Sequence, residues 1–186
     1  MSDNATANHD LPLLMPAQAQ KHVTVNEALM RLDGLVDLLL QSVEQATPPA
    51  GVADGMCWGV PPGATDAWEG HAGRVAIGAN GGWIFADPRA GSRAFVADRG
   101  VGAIHDGRAW VPGAVSLGAH GSGLIAMQDS AEVVLQPGAQ VETALIIPPG
   151  ALVLGVTARV SEAITGSLTS WRLGTAGAED RFGQGL

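Results

Sequence analysis

Cysteine is nearly absent from the chain: Cys57 is the only one. An intrachain disulfide is therefore excluded, and a zinc site would have to be assembled from five scattered histidines and from carboxylates. There is no tyrosine. Basic residues are scarce as well, ten Lys plus Arg against eighteen Asp plus Glu, for a net charge of -8. With no basic run to offset that charge, a phosphate backbone is repelled, which argues against a direct nucleic-acid partner. No apolar run reaches the roughly 18 residues of a membrane span, so membrane insertion is not expected. Residues 1–10 carry neither the basic flank nor the apolar stretch of a secretory signal. The expectation is synthesis in a reducing cytoplasm without a signal peptide; work outside a cell would need another carrier. Also missing are a G-x-S-x-G elbow, a P-loop, an H-E-x-x-H helix and a dinucleotide fingerprint. The expectation is a protein that is not an enzyme and holds no cofactor or metal.

What is present is apolar and turn-rich. Hydrophobic residues make up 46% against 15% charged, enough apolar surface for a packed core and too much for wholesale disorder. The length of 186 residues suits one or two domains of roughly 100 residues each. Gly and Pro (26 and 11) are a fifth of the chain, against an average of about 12% together, which signals many tight turns between short strands. The fold class expected is mainly β: an N-terminal amphipathic helix, then a small β-hairpin module, then a β-sandwich or jelly-roll-like C-terminal region.

Residues 1–10 are polar and read as a disordered tail, and 11–47 as an extended lead-in followed by a helix. Thr24 and Glu27 have capping-box spacing, so the helix is expected to begin near Val25. Leu29, Leu32, Val36, Leu39 and Val43 then recur in steps of three and four, with Arg31, Asp33, Asp37, Gln41 and Glu44 between them. Ala28, Leu35, Leu38 and Leu40 widen the face. Two readings remain open, a helix packed on its own domain and a helix that self-associates in a short bundle. Gly34 costs about 1 kcal/mol of helix propensity relative to Ala yet permits close approach of a neighbour. Thr47-Pro48-Pro49 stops the helix.

Residues 51–112 read as a Trp-containing hairpin module, with turn marks at Pro61-Pro62-Gly63, Asn80-Gly81-Gly82 and Asp106-Gly107. The segments around Trp83 and Trp110 resemble each other, each placing Trp after a Gly turn and before a β-branched residue, as in a degenerate hairpin repeat. Trp58, Trp68, Trp83 and Trp110 are expected as core, with exposed sugar-stacking platforms as the alternative. Residues 113–130 read as a Gly-rich linker with a single strand attached, and the domain boundary is placed there. In 131–186, strand-like runs at 131–135, 145–147, 152–160 and 170–173, set off by Gln136-Pro137-Gly138 and Pro148-Pro149-Gly150, suggest the second β-rich domain. No closing strand is evident before Leu186, so this domain is expected to be incomplete.

Two clusters have residue types suited to acid-base work: Asp66, Glu69 and His71, and Asp98, His105 and Asp106. Both sit beside Gly turns, where Asp more commonly bonds local backbone. A polysaccharide-degrading enzyme would need two carboxylates facing each other in a groove, a spacing that sequence neighbours do not define. His22 and His120 lack ligand partners at metal spacing and read as solvent-facing polarity. Cys57, between Met56 and Trp58, reads as a small buried side chain.

The run Leu11-Pro12-Leu13-Leu14-Met15-Pro16-Ala17-Gln18-Ala19-Gln20-Lys21-His22-Val23-Thr24-Val25-Asn26-Glu27-Ala28-Leu29, continuing through Arg31-Leu32-Asp33, resembles the opening signature of a domain-of-unknown-function family. That family is encoded in prophages and gene-transfer-agent clusters of alphaproteobacteria. The likeness continues at Gly70-His71, Gly82-Trp83, Ala97-Asp98, Asp106-Gly107 and Trp110, and again across 155–166 and 180–183. The resemblance implies a phage-like tail fibre whose N-terminal part attaches to the baseplate or tail tip and whose distal part faces a cell. Such fibres are commonly trimers, and family members continue past the end of this chain, so the residues here would be the anchoring portion.

The resulting assignments are Leu29, Leu32, Val36, Leu39 and Val43 for oligomerisation, and Leu13, Leu14, Gln18, Gln20 and His22 for baseplate attachment. Trp68, Trp83 and Trp110 are candidates for glycan contact with a cell-surface polysaccharide. The alternatives are a head spike or spike base of the same kind of particle, and a monomeric carbohydrate-binding module.

Overall fold

The computed structural model describes residues 4–15, 21–134, 140–143, 147–163, 165–166 and 169–185. The chain forms two compact units, Met1–Met127 and Gln128–Leu186. In the first, a single helix α1 (Lys21–Leu35) precedes a seven-stranded sheet. Its strands are β1 (Leu39–Leu40), β2 (Cys57–Gly59), β3 (Val75–Ala79), β4 (Gly82–Ala86), β5 (Arg93–Val96), β6 (Val101–His105) and β7 (Trp110–Pro112). A one-turn 3-10 helix, Asp66–Trp68, lies between β2 and β3.

The sheet order is β4-β3-β2-β1-β5-β6-β7. Two antiparallel meanders, β2-β3-β4 and β5-β6-β7, flank β1, which pairs in parallel with the first strand of each. Leu40 stands opposite Cys57 on one side and Val96 on the other. The two similar Gly-Trp segments therefore occupy equivalent places, since β4 and β7 are the outer strands of the meanders. Asn80 and Gly81 have φ of 52° and 71°, the paired left-handed conformation that a two-residue hairpin loop requires and that Asn-Gly adopts readily.

Period-2 alternation sorts the β2-β3-β4 meander onto two cores. Cys57, Val75, Ile77, Ile84 and Ala86 join Leu38, Leu40, Val96, Ala103 and Trp110 in one. Trp58, Ala76, Trp83 and Phe85 join Val60, Ala64 and Trp68 in the other. The indole rings of Trp58, Trp68 and Trp83 meet at 5.1 to 5.9 Å between centroids, two of the three pairs edge to face, the geometry that ring quadrupoles favour.

The helix differs from its expected span at both ends. It is already helical at Lys21, so Thr24 lies in its first turns and not at the cap; nothing in 21–27 breaks a helix, and no proline or glycine delays it. It ends at Leu35, where Asp37 takes a left-handed φ of 48° and the next residues enter the sheet. Phe95 N donates to Leu38 O, Ala97 N to Leu40 O and Gln41 N to Cys57 O. These ladder bonds, with burial of Leu38 and Leu40, outweigh the helical period. Leu39 and Val43 consequently are not helical residues.

Residues 4–10, expected within a disordered tail, take part in backbone hydrogen bonds with the segment that follows. Thr6 N donates to Leu11 O and Leu13 N to Asn4 O, which closes a short loop over Asp33. In 113–130 the expected linker contains a two-stranded sheet, β8 (Ala114–Leu117) and β9 (Gly123–Ile125), joined to the first unit as Gly113 N donates to Gly102 O.

In the second unit, the described residues form one antiparallel hairpin, β10 (Trp171–Thr175) with β11 (Ala178–Gly185). The expected runs at 131–135 and 152–160 have no strand partner among the described residues, and Leu135, Leu145 and Ile146 lie outside them. A strand exists only where a second edge supplies its hydrogen bonds. The structure is thus a single N-terminal helix followed by a β-rich region of several sheets; a jelly-roll closure is not formed by the described residues.

Candidate functional site

The helix presents two faces. Asn26, Leu29, Met30, Asp33 and Gly34 turn inward, Asp33 and Gly34 fully, and the last of these sits directly on the sheet. A Cβ on Gly34 would come within 2.7 Å of Ile77 Cγ2 and 3.1 Å of Cys57 Sγ. The close approach permitted by glycine is therefore to side chains of the chain's own core.

The opposite face is apolar and uncovered. Val25, Ala28, Leu32 (52% exposed), Leu35 and Val36 run along it, and beyond the helix end Leu39 of β1 is also bare (47% exposed). A shallow hollow of about 430 Å³ along this strip is lined by Thr24, Glu27, Ala28, Arg31, Leu32 and Leu35. Of the residues assigned to oligomerisation, Leu32, Val36 and Leu39 are exposed, Leu29 is half-buried, and Val43 packs against the main core.

A second groove, of about 770 Å³, lies between the N-terminal loop, α1 and the β3-β4 hairpin. It gathers Leu13, Leu14 and His22, which were assigned to attachment, with Trp83 from the glycan set. Asn26 fixes its rim: its amide donates to Leu14 O at 3.0 Å while its carbonyl accepts from Leu14 N at 2.8 Å. His22 is half-buried within α1, with Nδ1 enclosed and unpartnered among the described residues, and not a solvent-facing residue ahead of the helix. Gln18 and Gln20 lie outside the described residues.

Burial removes two members of the glycan set. Trp68 is 0% exposed and Trp110 8%, so neither offers a ring face to a sugar; only Trp83 borders a groove. Trp110 instead covers Gly59, where a Cβ would approach its Cδ1 to 2.8 Å.

The two titratable clusters serve turns and packing. Asp106 accepts from Arg108 N and Ala109 N, both at 2.7 Å, and these backbone bonds hold its carboxyl below the usual range. His105 is buried against Trp110 with Nδ1 accepting from Gly107 N; burial lowers its pKa, outweighing the Asp106 carboxylate that pushes the other way. His71 stacks parallel on Phe85 at 3.6 Å and contacts Arg74 through Nδ1. Asp66 accepts from Thr65 Oγ1 at the start of the 3-10 turn. Cys57 is buried, and desolvation, with a smaller push from Asp33, raises its thiol to about 12. Among the described residues no three His, Cys, Asp or Glu side chains are grouped as metal ligands, and no helix is long and apolar enough to cross a membrane.

Sequence reasoning missed Asp33 as an organising residue, because it was read as one of the polar positions between the apolar ones. Its neighbours in space, Thr6, Asn8 and His9, sit in a stretch whose composition signals only solvent exposure.

By its architecture this is a β-rich protein with one N-terminal helix laid on a seven-stranded mixed sheet. Residues 25–111, which include most of the helix and all seven strands but the last residue of β7, match the family described as "Protein of unknown function (DUF2793)". No curated protein matches the chain.

Proposed function

We propose that the protein is a self-associating structural component of a phage-like particle, of the gene-transfer-agent or prophage kind. In this reading it is a tail fibre anchored to the baseplate through its N-terminal part, and it contributes to attachment at a host cell surface.

 The observation that carries self-association is the uncovered apolar strip Val25, Ala28, Leu32, Leu35 and Val36, with Leu39 bare in the adjoining strand. Contiguous exposed apolar surface on a folded unit marks an interaction site, and a strip along a helix suits packing against copies of the same helix around a common axis. The placement in a particle rests on the resemblance of the 11–33 stretch to the phage-like family. A head spike of the same particle would use the same strip.

The test is the solution mass by light scattering of the wild-type chain and of a Leu32→Asp, Leu39→Asp double variant, with circular dichroism to follow folding. An oligomer, a trimer in this reading, that becomes a folded monomer in the variant supports the proposal. A folded wild-type monomer overturns it and favours a second reading, a monomeric carbohydrate-binding module. The observation on that side is Trp83 beside Asn26 and Asn80 in the larger groove, since an aromatic face with amide groups around it suits a sugar ring.

A further inference from the structure

The described residues of the second unit form no core. Among its described residues none is buried, and Leu173, Ala178, Phe182, Gly183 and Gly185 of the hairpin are the only ones even half-covered. A unit of this size that stands alone buries about 60% of the surface its unfolded chain exposes, and a lone two-stranded hairpin is marginal in water. A partner strand would supply the burial that these described residues lack.

The sequence indicates where. Leu152, Leu154, Val156, Ala158 and Val160 alternate with Val153, Gly155, Thr157 and Arg159, the period that places five apolar side chains on one face of a strand. Leu152 is 84% exposed and Leu154 91%. Among the described residues, no backbone hydrogen bond is made by 152–160, so the segment has strand chemistry on both counts, apolar face and free edge, without a partner.

We infer that residues 152–160 are an assembly strand whose partner is the same segment of a second copy of this chain. Charge favours that occupant. From Thr143 to Ala158 the sequence has no Asp, Glu, Lys or Arg, so copies can lie side by side without opposing like charges, which destabilise cross-strand pairs. The apolar face is self-complementary because each copy offers the same branched side chains, and pairing supplies both the edge and the burial that one unit lacks. This deepens the self-association part of the proposed function and moves a second contact away from the helix.

The experiment combines backbone hydrogen exchange with solution mass, on the full chain and on a Leu152→Lys, Leu154→Lys variant. The expected result is an oligomer in which the 152–160 amides exchange at least about tenfold more slowly than in a free peptide, with both protection and oligomer mass lost in the variant. Unprotected amides in the wild type overturn the inference. So does protection in a monomer, which means that the chain covers its own segment, and so does protection in an oligomer whose mass the lysines leave unchanged. A Leu32→Asp chain separates the two readings. If it stays oligomeric with 152–160 protected, the helix strip fails as the assembly element and the strand inference stands.

Discussion

The Thr6 hydroxyl donates to Asp33 Oδ1 at 2.7 Å, across 27 positions of sequence. The same oxygen accepts from His9 N at 2.8 Å, and Oδ2 accepts from Asn8 N at 2.9 Å. The Asn8 side chain completes the clasp by donating to Asp33 O and Gly55 O. One buried carboxylate thus fastens the N-terminal loop to the helix and, through Asn8, to the segment that enters β2.

Replacing that acceptor tests the clasp. Asp33→Asn puts an amide donor where one of the carboxylate oxygens receives a hydrogen, leaving a buried N–H or O–H unmatched. The expected loss is about 1–3 kcal/mol of unfolding free energy, read from the denaturant midpoint, with faster proteolysis of residues 4–12. An unchanged midpoint would mean that the loop contributes nothing to the stability of the unit.

Gly34→Ala opposes two effects of known size. Alanine gains about 1 kcal/mol of helix propensity, but its Cβ would stand 2.7 Å from Ile77 Cγ2. Ile77 is fully buried and cannot move aside, and overpacking of this kind costs about 1–3 kcal/mol. The net expectation is a destabilised protein, visible as a lower melting temperature. A higher one would show that the helix end slides on the sheet.

Cys57 should be inert in the folded chain. Its thiol is raised to about 12, so the reactive thiolate is scarce at pH 8, and the sulfur is buried. Alkylation with iodoacetamide is expected only after denaturant is added. The same shift has a stability consequence: the folded state favours the neutral thiol, so its contribution is complete below the ordinary value of 9.0 and declines as pH rises from there towards about 12.

His105 works in the opposite direction. Burial lowers its pKa from 6.5, so the unfolded chain binds the proton more readily. Stability is complete above about 6.5 and declines as pH falls from that value towards the lowered one. A melting series from pH 8 to 5 is expected to fall on the acid side, and His105→Gln to flatten that fall. Equal slopes in the two proteins would assign the acid loss to other groups.

Much of the first unit was legible locally. Asn80-Gly81 and Asp106-Gly107 announce hairpins because few residues accept a positive φ, and the alternation of Val75, Ile77, Ile84 and Ala86 about them assigns a face to each residue. The burial of Trp58, Trp68 and Trp110 follows from the size of the ring and the scarcity of other large side chains. The helix end was misread because Leu32, Val36, Leu39 and Val43 satisfy a helical period while Leu38-Leu39-Leu40 equally suits a buried strand; periodicity does not separate the two.

The amino-acid sequence alone determined the turn positions, the apolar helix stripe, the lone buried thiol and the acidic balance, because each depends on residue type and near neighbours. Only the tertiary structure decided that β1 takes Leu39 and Leu40 from the helix, that Asp33 holds the N-terminal loop, and which helix face stays bare. Those outcomes depend on contacts between residues distant in sequence, where paired backbone groups and buried area outweigh local preference.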